Sequence, residues 1–270
     1  MKKAVCTVVL LDCVYIVLAS LASILSFVPY LSLGIKYAAF ILPLLILVLM
    51  FRKGEYEGRI SLLPRRGGFL ITVPLIFPSV LLVMGVSFVT TLLMSLLNAT
   101  PSFVPEYDFF GAFTLHALLP AVCEELVFRF IPLVLITPHS KKSAIIISAL
   151  LFAFVHGNPY QIPYALIAGV IYMALDVATD SVLPSIILHL CNNTVALLWQ
   201  GTLAPRGLAT YAFAAMVALS IISIAVILIM RKRYSESFLF ILDKRDKVEM
   251  PLILVAPIGI GFILAFTSFL

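Results

Sequence analysis

Long apolar runs separated by short polar breaks account for nearly the whole chain, and their lengths predict helices that cross a bilayer. A spanning helix needs about 20 mostly apolar residues at a rise of about 1.5 Å each. Runs of this kind fall near 4–29, 31–51, 69–97, 109–136, 143–157, 162–179, 181–201, 209–230 and 251–270. The segments 143–157 and 162–179 are short, and 31–51 carries Lys36 near one end. The pattern therefore predicts eight or nine spans. No repeat, low-complexity tract or polar domain interrupts them, so the expected fold is an all-α polytopic membrane bundle, one membrane domain over 1–270. The apolar run behind Lys2 and Lys3 exceeds the about 7–15 residues of a signal-peptide core, and a retained first span is expected.

Composition agrees. Of the 270 residues 63% are hydrophobic and 11% charged, where soluble domains carry about 25% charged residues. The net charge of +5 would suggest a nucleic-acid partner until its placement is considered. With the N-terminus cytoplasmic, the inner side holds Lys2, Lys3, Arg52, Lys53, Arg59, Arg65, Arg66, Lys141 and Lys142. It also holds Arg231, Lys232, Arg233, Lys244, Arg245 and Lys247, which makes fifteen of the 18 basic residues. Lys36 and Arg206 fall outside, and Arg129 within a span. This is the positive-inside pattern. The charge reports topology; the bilayer is the expected partner and no nucleic acid is. The stretch 232–250 reads as an inner loop with a short interfacial helix around "FLFIL". Cys6, Cys13, Cys123 and Cys191 lie in apolar runs without CxxC spacing, which predicts neither a disulfide framework nor a zinc knuckle.

Polar residues inside spans carry the chemistry, because an ionised group at the bilayer centre costs at least about 2.5–3.5 kcal/mol. Asp12 reads as a packing or interfacial residue, Asp176 and Asp180 as caps or a solvated helix end, and His116 as interfacial. The stretch "CEELVFR" (123–129) is harder to absorb. Glu125 and Arg129 are four apart, share a helix face and can neutralise one another. Glu124 lies about 100° away around the helix and has no such partner. Glu124 precedes the inner turn near position 138 by the same stretch of chain that separates His156 from position 142, where that turn ends. Both therefore reach about 21 Å from that turn, at matching depth. His189 and Asn193 are again four apart on one face.

Three kinds of chemistry fit these groups. Glu124 with His156 could deprotonate a water that attacks a peptide carbonyl, with His189 and Asn193 donating to the oxyanion and Glu125 and Arg129 locking the helix face. Glu, Glu, His and His could instead bind zinc or iron, although Arg129 would compete and no HExxH occurs. A polar track could conduct protons or ions, but neither repeats nor paired broken helices are visible. Cys191 stands two residues from His189 and so faces away from it, which disfavours a cysteine nucleophile.

The set "EELVFR" (Glu124, Glu125, Arg129), "FAFVH" (Phe152 to His156) and "HLCNN" (His189 to Asn193) resembles the motifs EExxxR, FxxxH and HxxxN of the CAAX protease and bacteriocin-processing family. The resemblance covers roughly 109–200, the expected catalytic core. It implies a metal-independent intramembrane glutamate endopeptidase needing no cofactor. Glu124 and His156 would activate water, and His189 and Asn193 would form the oxyanion hole. Members of that family remove the last three residues of prenylated CAAX proteins. Bacterial members act on peptides such as bacteriocin or pheromone precursors, or serve as scaffold or immunity proteins. The implied substrate is a membrane-associated protein or peptide, prenylated or not. The apolar run 251–270 exceeds that family's expected eight-span core.

Overall fold

The computed structural model describes residues 1–25, 27–52, 68–95, 109–199, 206–254 and 257–259. Among them every regular element is helical and none is a strand, so the chain is a polytopic helical membrane protein. Most of the expected span 251–270, and the basic residues Lys53, Arg59, Arg65 and Arg66, lie outside the described residues.

Helices α1 (Lys2–Ile24) and α2 (Pro29–Arg52) form an antiparallel hairpin, with Ser32 Oγ donating to the Ala22 carbonyl at 2.7 Å. Helix α3 (68–95) tightens into a 3₁₀ turn at Val73–Leu75, where Pro74 offers no N–H to the helical ladder. Helix α4 (109–135) widens twice into π turns, at Thr114–Leu118 and Leu126–Phe130. These two wide turns bracket Glu124 and Glu125, and the regular 109–136 helix expected from periodicity is replaced by an irregular one. Helix α5 (Lys141–Val155) starts at Ser140, whose side chain accepts from the Ser143 N–H at 3.0 Å. Helix α6 (Ile162–Thr179) stops at Asp180, which takes the left-handed conformation (φ 56°). Helices α7 (Leu183–Leu198) and α8 (Ala209–Ile229) follow, then α9 (Arg231–Ser237). The "FLFIL" stretch forms only a 3₁₀ turn at Leu239–Leu242.

Among the described residues five segments are long and apolar enough to cross a membrane: Lys2–Ala22, Gly34–Arg52, Gly68–Leu93, Ile162–Thr179 and Ala209–Ile229, with Leu183–Leu198 shorter. The protein is therefore an integral membrane protein. Lipid tails are as apolar as leucine, so these helices hold together by close packing and polar contacts rather than by the hydrophobic effect. The tightest core lies where α4 and α5 meet α6, around Phe128, Ile131, Ile147, Leu151 and Met173. Helix α8 instead leaves most of its large side chains exposed, as a lipid-facing helix should.

Packing of α5 against α6 depends on Gly169. A Cβ there would lie 2.8 Å from the Ala149 Cα, inside any tolerated contact with backbone. Gly169→Ala should therefore push the two helices apart and destabilise the protein by about 1–3 kcal/mol. Thermal unfolding in detergent measures this; an unchanged midpoint would show that the helices can yield.

Candidate active site

Among the described residues Arg129 is the largest fully buried side chain, and its surroundings are built to hold its charge. It projects from the second π turn of α4. Its Nε lies 3.3 Å from Glu125 Oε2, an ion pair without the angle of a hydrogen bond. The guanidinium stacks 4.1 Å over the ring of Phe152 from α5 and stands 6.0 Å from that of Tyr172 on α6. The other oxygen of Glu125, Oε1, accepts from His189 Nδ1 of α7 at 2.7 Å. The pair expected from the i,i+4 spacing is thus a triad across two helices. Both Glu125 and Arg129 have no solvent exposure.

Neighbouring elements support this arrangement. Ser148 Oγ of α5 donates at 2.5 Å to the Phe128 carbonyl in the wide turn, a polar contact that ties the irregular backbone to its neighbour. Asp176 is fully buried, and its Oδ1 accepts from the Ser185 N–H at 3.0 Å. It caps the start of α7 as expected, but it is not at a solvated end. Since Ser185 is one turn before His189, this cap helps set where His189 stands. Asp12 takes the packing role of the two expected for it. It is buried rather than interfacial, within the field of Arg129, and neither carboxylate oxygen has a hydrogen-bond partner. The first span therefore faces the charged centre of the bundle, a fact hidden by the sequence distance between the two residues.

Beside the triad lies a cavity of about 400 Å³. Glu124, His156, His189 and Asn193 all line it, together with Phe152, Tyr164, Tyr172, Gln161 and Asn192. The wall thus gathers four of the six residues singled out by spacing, while Glu125 and Arg129 stand behind it. His156 Nδ1 lies 2.6 Å from the Phe152 carbonyl. A carbonyl can only accept, so Nδ1 carries the proton and Nε2 keeps its lone pair. By the same reasoning Glu125 claims the Nδ1–H of His189 and leaves Nε2 of that ring available. Asn192 Nδ2 donates to Asn193 Oδ1 at 3.4 Å, which occupies the acceptor of Asn193 and spares its donor. Glu124 is partly exposed and acts electrostatically on His156. Exposed His116 and Lys36 stand at the edge.

Among the described residues no group of three or more His, Cys, Asp or Glu could hold a metal ion. Both oxygens of Glu125 face Arg129 or His189 instead. Spacing alone missed the part played by Phe152, whose ring lies 4.8 Å from that of His156 and 5.8 Å from that of His189. The signal was present, since Phe152 is the leading residue of the FxxxH pattern.

Residues 106–195, a third of the chain, match the Rce1-like family, type II CAAX prenyl endopeptidase Rce1-like. The match bears out the resemblance to the CAAX protease and bacteriocin-processing family carried by the three motifs. In general terms it supports an intramembrane endopeptidase of the CAAX type. No curated protein and no solved structure matches the chain.

Removing one member of a buried ion pair leaves the other charged and uncompensated, at a cost of about 3–5 kcal/mol. Arg129→Met should destabilise the protein by that amount, and adding Glu125→Gln should restore part of the loss. Unfolding of the two single variants and the double variant measures the coupling. Strictly additive effects would show that the pair contributes no joint stability.

Proposed function

We propose that the protein is an intramembrane endopeptidase that hydrolyses a peptide bond of a membrane-associated protein or peptide with a water activated by Glu124 and His156. The observation that carries this reading is the shared cavity. Glu124, His156, His189 and Asn193 converge on it from α4, α7 and the end of α5. Glu125 is committed elsewhere, to Arg129 and His189.

The proposed cycle begins with a water held between Glu124 and the lone pair on His156 Nε2. Glu124 takes a proton as the water oxygen bonds to the scissile carbonyl carbon, and the carbonyl π electrons move to oxygen. Asn193 Nδ2 donates to that oxyanion, and so does His189 Nε2 when its ring carries both protons. Collapse of the tetrahedral intermediate breaks the C–N bond, and the proton held by Glu124 passes to the leaving amine. Glu125 keeps His189 oriented, and Arg129 and Phe152 hold Glu125 and the two rings in place. The family match speaks for an endopeptidase of the CAAX type in general; the candidate substrates are a prenylated C-terminus, which would lose its last three residues, and a peptide precursor.

Purified full-length protein in lipid should cleave a membrane-associated peptide. Substrates tested would include a farnesylated CAAX peptide and an unprenylated leader peptide, read by mass spectrometry. Glu124→Gln and His156→Gln should each slow turnover by about 10²–10⁴-fold while leaving the unfolding midpoint unchanged. Turnover by Glu124→Gln at the wild-type rate would refute the glutamate mechanism. Chelator should leave the rate unaffected; loss restored by zinc would replace water activation by Glu124 and His156 with a metal mechanism.

A further inference from the structure

Each helix that walls the cavity runs between two unlike ends, and the cavity lies toward the same end of all of them. On α4 the innermost lining residue, Glu124, stands about three helical turns before Leu135, and on α5 Phe152 stands about three turns after Lys141. On α6 Tyr172 precedes Thr179 by about two turns, and on α7 His189 follows Leu183 by somewhat less. At about 1.5 Å per residue, the cavity floor stands about 9–16 Å from those far ends. Its exposed edge, at Lys36 and His116, lies on the other side.

The far ends carry the basic segments, and hydrogen bonds hold these on one face. Asp246 accepts from the backbone N–H groups of Lys141 and Lys142, both at 3.1 Å, and from Ser140 Oγ at 2.5 Å. Lys142 Nζ donates to the Asp243 carbonyl at 2.6 Å, and the Glu249 N–H donates to Ser143 Oγ at 2.9 Å. Tyr234 Oη, beside Arg231 to Arg233, donates to the Ile71 carbonyl at the start of α3, at 2.8 Å. The loops bearing Lys141, Lys142, Arg231 to Arg233 and Lys244 to Lys247 are thus one surface. The positive-inside rule makes such a surface cytoplasmic.

We propose that the cavity opens on the opposite, non-cytoplasmic side of the membrane. Its substrate is then a peptide segment presented from that side, not the C-terminus of a cytoplasmic prenylated protein. What happens to that peptide rests on the endopeptidase reading; the side on which the cavity opens does not. Two measurements keep these separate.

In the first, Cys6, Cys13, Cys123 and Cys191 are replaced by serine in the full chain and single cysteines are introduced by Lys36→Cys, Arg206→Cys or Lys247→Cys. Spheroplasts of a bacterial host are treated with a membrane-impermeant maleimide before and after permeabilisation. Lys36→Cys and Arg206→Cys should react in intact spheroplasts, and Lys247→Cys only after permeabilisation. The reverse pattern, or reaction of all three from one side, would overturn the proposal. In the second, one reporter peptide is anchored to face either the cytoplasm or the exterior. Cleavage of the exported form alone is expected, and cleavage of the cytoplasmic form alone would overturn the substrate assignment. If neither form is cut, the endopeptidase reading fails and the labelling pattern still decides the side.

Discussion

A guanidinium enclosed in a helical bundle must be compensated on the spot, because neither lipid nor bulk water reaches it. The arrangement of five helices follows from that need around Arg129. Glu125 supplies the paired charge from the same helix, and His189 on α7 engages the carboxylate oxygen that Arg129 leaves. Phe152 on α5 and Tyr172 on α6 present ring faces, and Asp12 brings a carboxylate from α1 into the same field. The partners are few and directional, so moving one helix would break contacts on several others.

This frame also divides the labour among the motif residues. Glu125, Arg129 and Phe152 face one another and are largely consumed in holding the wall. Glu124, His156 and Asn193 face the cavity with polar atoms still available. His189 belongs to both groups, with one ring nitrogen on Glu125 and the other ring edge toward the cavity. The irregular backbone gathers at the same place. Two π turns flank the glutamates, a serine from α5 bonds into one of them, and Gly169 lets α5 and α6 close up. Such wide turns often accompany functional sites, because they re-aim side chains that a regular helix would direct elsewhere.

Much of the site was legible from local spacing. Positions four apart on a helix share a face, and this sufficed to pair Glu125 with Arg129, to leave Glu124 unmatched and to align His189 with Asn193. Counting the rise from a shared turn brought Glu124 and His156 to one depth, and both line one cavity. Local spacing could not reveal the His189–Glu125 bond, which joins residues 64 apart, or the approach of Asp12 to Arg129. Asp12 was left between a packing and an interfacial role because a lone acid in an apolar run carries no record of the helix it will meet.

The amino-acid sequence by itself determined that the chain is a helical membrane protein, that its basic residues gather in loops, and which polar residues its apolar runs carry. These depend on composition and on periodicity along a single helix. The tertiary structure decided which of those residues hold one another and which are left facing the cavity. That choice rests on helix packing, on two turns that depart from the regular α-helical period, and on contacts between segments far apart in the chain.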